Sequence, residues 1–313
     1  MGRWIIYPFS LKKYNSLEIH RNYFKVTDDA FTVLLLGGST SRELTDSDYY
    51  ISELISERCS EKVRFINAGS SSQSYITSRS IYDYYSRRGV DLVLIGSNYY
   101  RYILSNTDLV KNTLDNKISI PISFSFFLEE FPRNQNPPQV EPLYLAAKLI
   151  SQRKNLIYDS NNLFNKSLPF EDKVGFNNLY KYPPLSLEKK KEKARLFSIL
   201  RYEDFINFGA FGAESWNLFI DNAEKKDSKV IFIDLPKAPF FTNTTKLFES
   251  QMNKFLDSHL KNGAQVIRWK SSDLNLVEND FYDQQHLLKN GRKKIEPVLI
   301  ELIANNIPNC KVK

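Results

Sequence analysis

The stretch VLLLGGSTSRE, Val33 to Glu43, decides how this chain is read: four aliphatic residues without polar alternation run into two glycines and a cluster of hydroxyls. An unbroken apolar run of this kind marks a strand buried on both faces, the sort found in parallel sheets covered by helices. Val33 to Leu36 is therefore read as such a strand. Gly37 and Gly38 remove side chains where the backbone must turn sharply or admit another group. Thr40 and Glu43 have the S/T-x-x-E spacing of a capping box, which predicts a helical turn whose unpaired N–H groups lie near the Ser39 hydroxyl. A serine so placed can be a nucleophile, an anion ligand or simply a helix cap, and the cap is its commonest use.

Moving outward, Val63 to Asn67, Asp91 to Ile95 and Val230 to Asp234 have the same buried-strand character, and Gln265 to Trp269 is a weaker fifth. Between them, DYYISELISERC from Asp48 and YITSRSIYDYYSRRG from Tyr75 repeat apolar residues at three and four, the helical period. Alternating strands and helices predict an α/β protein with a parallel sheet of about five strands. The rhythm breaks over residues 105–216, a polar stretch holding most of the prolines. The expected organisation is an N-terminal arm over 1–30, a first α/β part over 31–104, a largely helical and irregular insertion over 105–216 forming a substrate-cleft lobe, and a second α/β part over 217–313.

At 313 residues, 42% hydrophobic and 25% charged, the chain has the makeup of a soluble globular protein rather than a disordered one. No apolar run approaches the roughly eighteen residues of a membrane span. The opening MGRWIIYPFSLKKY is too short in its apolar part for a signal-peptide core and has no small-residue cleavage site. A soluble cytoplasmic protein is expected, with the cell envelope as the alternative if an N-terminal anchor has been removed. Cys59 and Cys310 lie far apart, so no disulfide framework is expected, in agreement with a reducing compartment. His20, His259 and His286 come with no Cys or His at metal-ligand spacing, and no metal is expected. The net charge of +7 hints at acidic partners, but its densest run, EKKKEKAR from Glu188 to Arg195, includes glutamates and reads as a solvated helix face. With no stacking-aromatic motif beside it, nucleic acid is not an expected partner.

In parallel sheets ligands bind at the carboxyl ends of the strands. Gly38-Ser39 follows the first strand, NAGSSSQS with Gly69 the second, and GSNYYR with Asn98 the third; FYDQQHLLKNG with Asp283 and His286 follows the fifth. This order resembles the SGNH hydrolase superfamily, the GDSL-type esterases and lipases, over about Thr32–Tyr102 and Ser228–Ile303. GGSTS stands where that family has its nucleophile block, with Gly38 at a position often held by aspartate. INAGSSS matches the second block and IGSN the third, with Tyr99 where an aspartate often follows; the DxxH block is intact at Asp283-Gln284-Gln285-His286. The resemblance implies a Ser39, Asp283, His286 triad and an oxyanion hole built from the Ser39 and Gly69 backbone N–H groups and the Asn98 amide, with no cofactor.

Elementary chemistry assigns the same roles. A serine hydroxyl attacks an ester carbonyl only when a base takes its proton, which suits the neutral imidazole of His286. Asp283, three residues earlier, can accept the other ring N–H and fix the tautomer. The Ser, Asp, His order is shared with α/β-hydrolases, but the final glycine of their G-x-S-x-G elbow is missing, so a flavodoxin-like three-layer sandwich is expected instead. Arg42 and Arg101, each near a strand end, can hold a substrate carboxylate or pair with a structural acid, the more ordinary use. His259 is read as a helix C-terminal histidine interacting with the dipole, and His20 as part of a surface arm. Tyr144, Tyr158, Phe164, Phe170 and Tyr180 can stack on sugar rings but more commonly form a lobe core.

The function expected is a serine esterase acting on a small-molecule or glycan ester; the resemblance of its GGST block to carbohydrate esterases implies a carbohydrate acetylesterase. The alternatives are an O-acyltransferase using the same triad on a glycan, and a non-catalytic glycan-binding module on a hydrolase fold.

Overall fold

Where the sequence runs apolar without alternation, the chain is extended and covered on both sides. The computed structural model describes residues 29–70, 73–103, 185–308 and 310. In it β1 spans Phe31–Gly37, β2 Val63–Asn67, β3 Leu92–Ser97, β4 Lys229–Asp234 and β5 Gln265–Arg268. They form one all-parallel sheet in the order β2-β1-β3-β4-β5, the flavodoxin-like order. Val33 to Leu36 and Leu92 to Ile95 are completely buried at its centre, whereas β5, the weakest strand by sequence, is half exposed at the edge.

The helices are α1 (Ser39–Arg42), α2 (Asp48–Cys59), α3 (Tyr75–Tyr85), α4 (Leu187–Glu224), α5 (Pro239–Thr244), α6 (Lys246–Lys261) and α7 (Lys289–Ala304). Right-handed crossovers that wind in opposite directions from β1 put their helices on opposite faces. Accordingly α2 packs with β2 and α7, while α4 packs with α3 and α6. The result is the expected three-layer α/β/α sandwich. Winding reverses between β1 and β3, and their carboxyl ends open the crevice in which ligands bind in such sheets.

Helix α4 is 38 residues long and runs through position 216, so residues 187–216, read from sequence as insertion, continue into a helix of the sandwich. Phe205, Trp216, Phe219 and Ile220, at helical spacing, are buried on one stripe, with Trp216 edge-on to Phe232 of β4. The basic run at its start is a solvated face except for Lys190, which is buried and donates to the carbonyls of Glu278 and Phe281. Residues 104–184, with the five candidate stacking aromatics, and residues 1–28 of the N-terminal arm, with His20, lie outside the described residues.

Two sequence readings are corrected here. Cys59, closing α2, forms a disulfide with Cys310 beyond α7, across 251 residues. Packing of α2 on α7 brings the two together, and no local pattern encodes that contact. In the chain-entropy picture, closing so long a loop stabilises the fold by roughly 5 kcal/mol. His259 does sit in the last turn of α6, but it faces inward, with no exposed surface. Its ring bonds Tyr102 Oη at 3.0 Å and Asn217 Oδ1 at 2.7 Å and stacks on Phe232 at 4.3 Å. Burial drives its pKa down to about 3, so it is a neutral core residue without a charge to offer the helix dipole.

Candidate active site

β1 ends because Gly37 adopts φ +136°, a conformation L side chains rarely take, and because a Cβ there would lie 2.7 Å from the Gly96 carbonyl. The Gly37 N–H donates to Gln73 Oε1 at 2.7 Å, which ties the turn to the loop after β2. Helix α1 then starts with Gly38 as its N-cap and no side-chain cap. The predicted capping box is thus not formed: Thr40 is already inside the helix, and Glu43, at its C-cap, turns its carboxylate to accept the Leu287 N–H at 3.0 Å. Asn67, ending β2, holds α1 from below by donating to the carbonyls of Ser41 and Arg42 and to Thr45 Oγ1.

Ser39 Oγ lies 2.8 Å from His286 Nε2, and His286 Nδ1 lies 2.9 and 2.8 Å from the two Asp283 oxygens. An ionised Asp283 can only accept, so Nδ1 carries the proton and Nε2 is left to accept from the serine hydroxyl. The DxxH turn is folded by Asp283 itself, whose Oδ1 also accepts the N–H groups of Gln285 and His286 at 3.0 and 2.9 Å. Lys190, capping the carbonyls at Glu278 and Phe281, braces the same loop from α4.

Asn98 caps the 3-10 turn Tyr99–Tyr102 through Oδ1, which accepts the Tyr100 N–H at 3.1 Å. Its amide nitrogen faces the other way, 3.2 Å from both Thr40 Oγ1 and Gln285 Oε1, between the neighbour of Ser39 and the neighbour of His286. The Gly69 N–H donates to Asn67 Oδ1 at 3.1 Å, and a Cβ at Gly69 would stand 2.8 Å from the Arg42 N atom. The glycine thus lets the β2 loop approach α1. Arg42 is buried with Nη1 donating to the Asn67 carbonyl at 3.3 Å, whereas the Arg101 guanidinium lies over Gly38. Among the described residues no cluster of three or more His, Cys, Asp and Glu side chains is placed to hold a metal.

The electrostatics around His286 involve a residue that sequence reasoning took for a cap. Burial raises the Glu43 carboxyl from 4.5 to about 7, outweighing the pull of His286 and of the Leu287 N–H. Burial also lowers His286, but the Asp283 hydrogen bond and the charges of Glu43 and Asp283 win, so its pKa is raised. Burial acts to raise Asp283, and its bonds to His286 and to two backbone N–H groups reverse this and hold it low. The sequence signal for Glu43 was its T-x-x-E spacing from Thr40; the contact it makes is 244 residues away.

A raised acid binds its proton more tightly when folded, so its contribution falls as pH climbs from 4.5 through about 7. Glu43→Gln keeps an acceptor for Leu287 and removes that loss. The variant should melt above wild type at pH 8, by on the order of 3 kcal/mol of stability, and lose this advantage at pH 4.5. The His286 pKa, followed by NMR, should fall in the variant, because the charge that raises it is gone. Thermal melts across that range test the first expectation, and a pH-independent difference would refute it.

No family model matches this chain, and no curated protein matches it.

Proposed function

We propose that this chain is a serine ester hydrolase of the SGNH type that removes acetyl or another short acyl group from a carbohydrate. The observation that carries the reading is the hydrogen-bonded line Ser39, His286, Asp283 at the carboxyl edge of a parallel sheet, assembled from chain segments 247 residues apart. In this reading Ser39 Oγ attacks the ester carbonyl while His286 Nε2 takes its proton, and Asp283 stabilises the imidazolium that forms. His286 then protonates the departing alcohol, and water repeats the sequence to release the acid. The oxyanion is met by the Ser39 N–H, which opens α1 with no intrahelical acceptor, and by the Asn98 amide, where it takes the place of Gln285 Oε1. The Gly69 N–H is the third donor of the proposal and must leave Asn67 to serve.

Carbohydrate as substrate rests on the resemblance of the GGST block to carbohydrate esterases. The test is to incubate the protein with p-nitrophenyl acetate, alone and with acetylated or free oligosaccharides, and follow p-nitrophenol, acetate and acylated sugar separately. Acetate release from acetylated sugars is the expected outcome. Accumulation of acylated sugar would instead assign an O-acyltransferase, and absence of either product would leave a glycan-binding module. No helix among the described residues is long and apolar enough to cross a membrane. The Cys59–Cys310 disulfide supports an oxidising compartment, such as the cell envelope, over the reducing cytoplasm expected from sequence.

A further inference from the structure

Gly38, directly before the nucleophile, carries no side chain because Arg101 occupies the space one would need. A Cβ at Gly38 would collide with Arg101 Nη2 and stand 3.1 Å from its Cζ. The guanidinium arrives there from the 3-10 turn that Asn98 caps, so the residue after β1 and the turn after β3 meet at this cation. Among the described residues Arg79 pairs with Asp83, Arg58 with Glu301, and Arg292 with Asp46. Arg101 has no acid among the described residues, and its enclosed Nε has no hydrogen-bond partner. Burial lowers its pKa to about 10, with only Tyr102 acting in the opposite sense, so it remains charged at neutral pH.

Arg101 is partly exposed, so its terminal nitrogens can be reached by a bound molecule, and among the described residues no acid pairs with them. A planar fork of donors beside a serine nucleophile is suited instead to an anionic oxygen group on a bound molecule. We infer that Arg101 seats a carboxylate or phosphate of the substrate, so that the ester acted on belongs to an anionic sugar. The inference builds on the esterase reading and names its substrate class. Arg42, buried and bonded to the Asn67 carbonyl, takes no part in it.

The test compares kcat/KM for O-acetylated glucuronate, O-acetylated glucose 1-phosphate and O-acetylated glucose in wild type, Arg101→Lys and Arg101→Met. Wild type should prefer at least one anionic ester about tenfold or more, the preferred one identifying the group. The anionic-to-neutral ratio should shrink in Arg101→Lys and fall to near one in Arg101→Met; the ratio cancels any loss common to all substrates. Arg101→Met should melt at or above the wild-type temperature, since it removes an uncompensated charge. Absence of charge preference in wild type, a ratio retained in Arg101→Met, or a melting temperature several degrees lower would each overturn the assignment. A second arm separates it from the esterase reading: Ser39→Ala, with and without Arg101→Met, is titrated calorimetrically with glucuronate, glucose 1-phosphate and glucose. Arg101-dependent binding of either anion without hydrolysis of any ester would sink the esterase reading and keep the anion site, whereas no charge-dependent binding would sink the site.

Discussion

Ser39→Ala is expected to reduce hydrolysis of p-nitrophenyl acetate by on the order of 10⁴-fold or more, with the melting temperature almost unchanged. The two halves of this expectation have separate physical grounds. Activity falls because no other hydroxyl among the described residues is bonded to His286 Nε2, and without the nucleophile no acyl-enzyme can form. Stability holds because Ser39 does not cap α1: Gly38 is the N-cap, and among the described residues the serine hydroxyl bonds only the imidazole. Water can take over that bond at a position that is not fully buried. Activity assays and thermal melts on the same preparation check both halves. A loss above roughly 2 kcal/mol with activity retained would assign Ser39 to architecture and remove the basis of the proposed mechanism.

Asn98 provides the second test, because its two ends do different things. Oδ1 holds the 3-10 turn through the Tyr100 N–H, while Nδ2 faces the gap between Thr40 and Gln285. If the amide meets the oxyanion, its bond strengthens only in the transition state. Asn98→Ala should then lower kcat about a hundred-fold or more with little change in KM. Asn98→Asp keeps an acceptor for Tyr100 and so preserves the turn, but it sets a negative charge where the oxyanion forms. It should lose at least as much activity as the alanine variant while melting closer to wild type. Steady-state kinetics on the pair separate the roles: wild-type kcat in Asn98→Ala would withdraw the oxyanion assignment and leave only the cap.

Pairing the two variants matters because Asn98 is buried, so a loss of activity in the alanine variant alone could reflect a displaced turn. Arg101 lies on that turn and would be displaced with it. The aspartate variant keeps the Tyr100 bond and thereby holds the Arg101 position constant while the donor is removed.

Much of this protein was legible from local pattern. Apolar runs located all five strands to within two residues, most clearly at the centre of β1 and β3, where burial on both faces demands apolar side chains at every position. Their alternation with helical periods implied a parallel sheet, and a parallel sheet directs attention to its carboxyl edge, where Ser39, Gly69 and Asn98 stand. Asp283 and His286 were legible as a pair, since three residues of separation let one turn hold both. Tertiary structure alone decided everything that depends on two distant segments meeting. Glu43 looked like a cap because T-x-x-E is a local rule, yet its partner is the Leu287 N–H in a loop brought close by the sheet. His259 was placed correctly at a helix end, but which way it faced, and hence whether it carries charge, followed from packing against Phe232. Cys59 and Cys310 were assigned apart because sequence distance says nothing about how α2 and α7 pack. For Gly38 the sequence left open a sharp turn or the approach of another group, and Arg101 lying over it decides for the second. Short-range spacing constrains dihedrals and faces; charge state, partner and pairing are set by which faces come together, and that is a property of the folded chain.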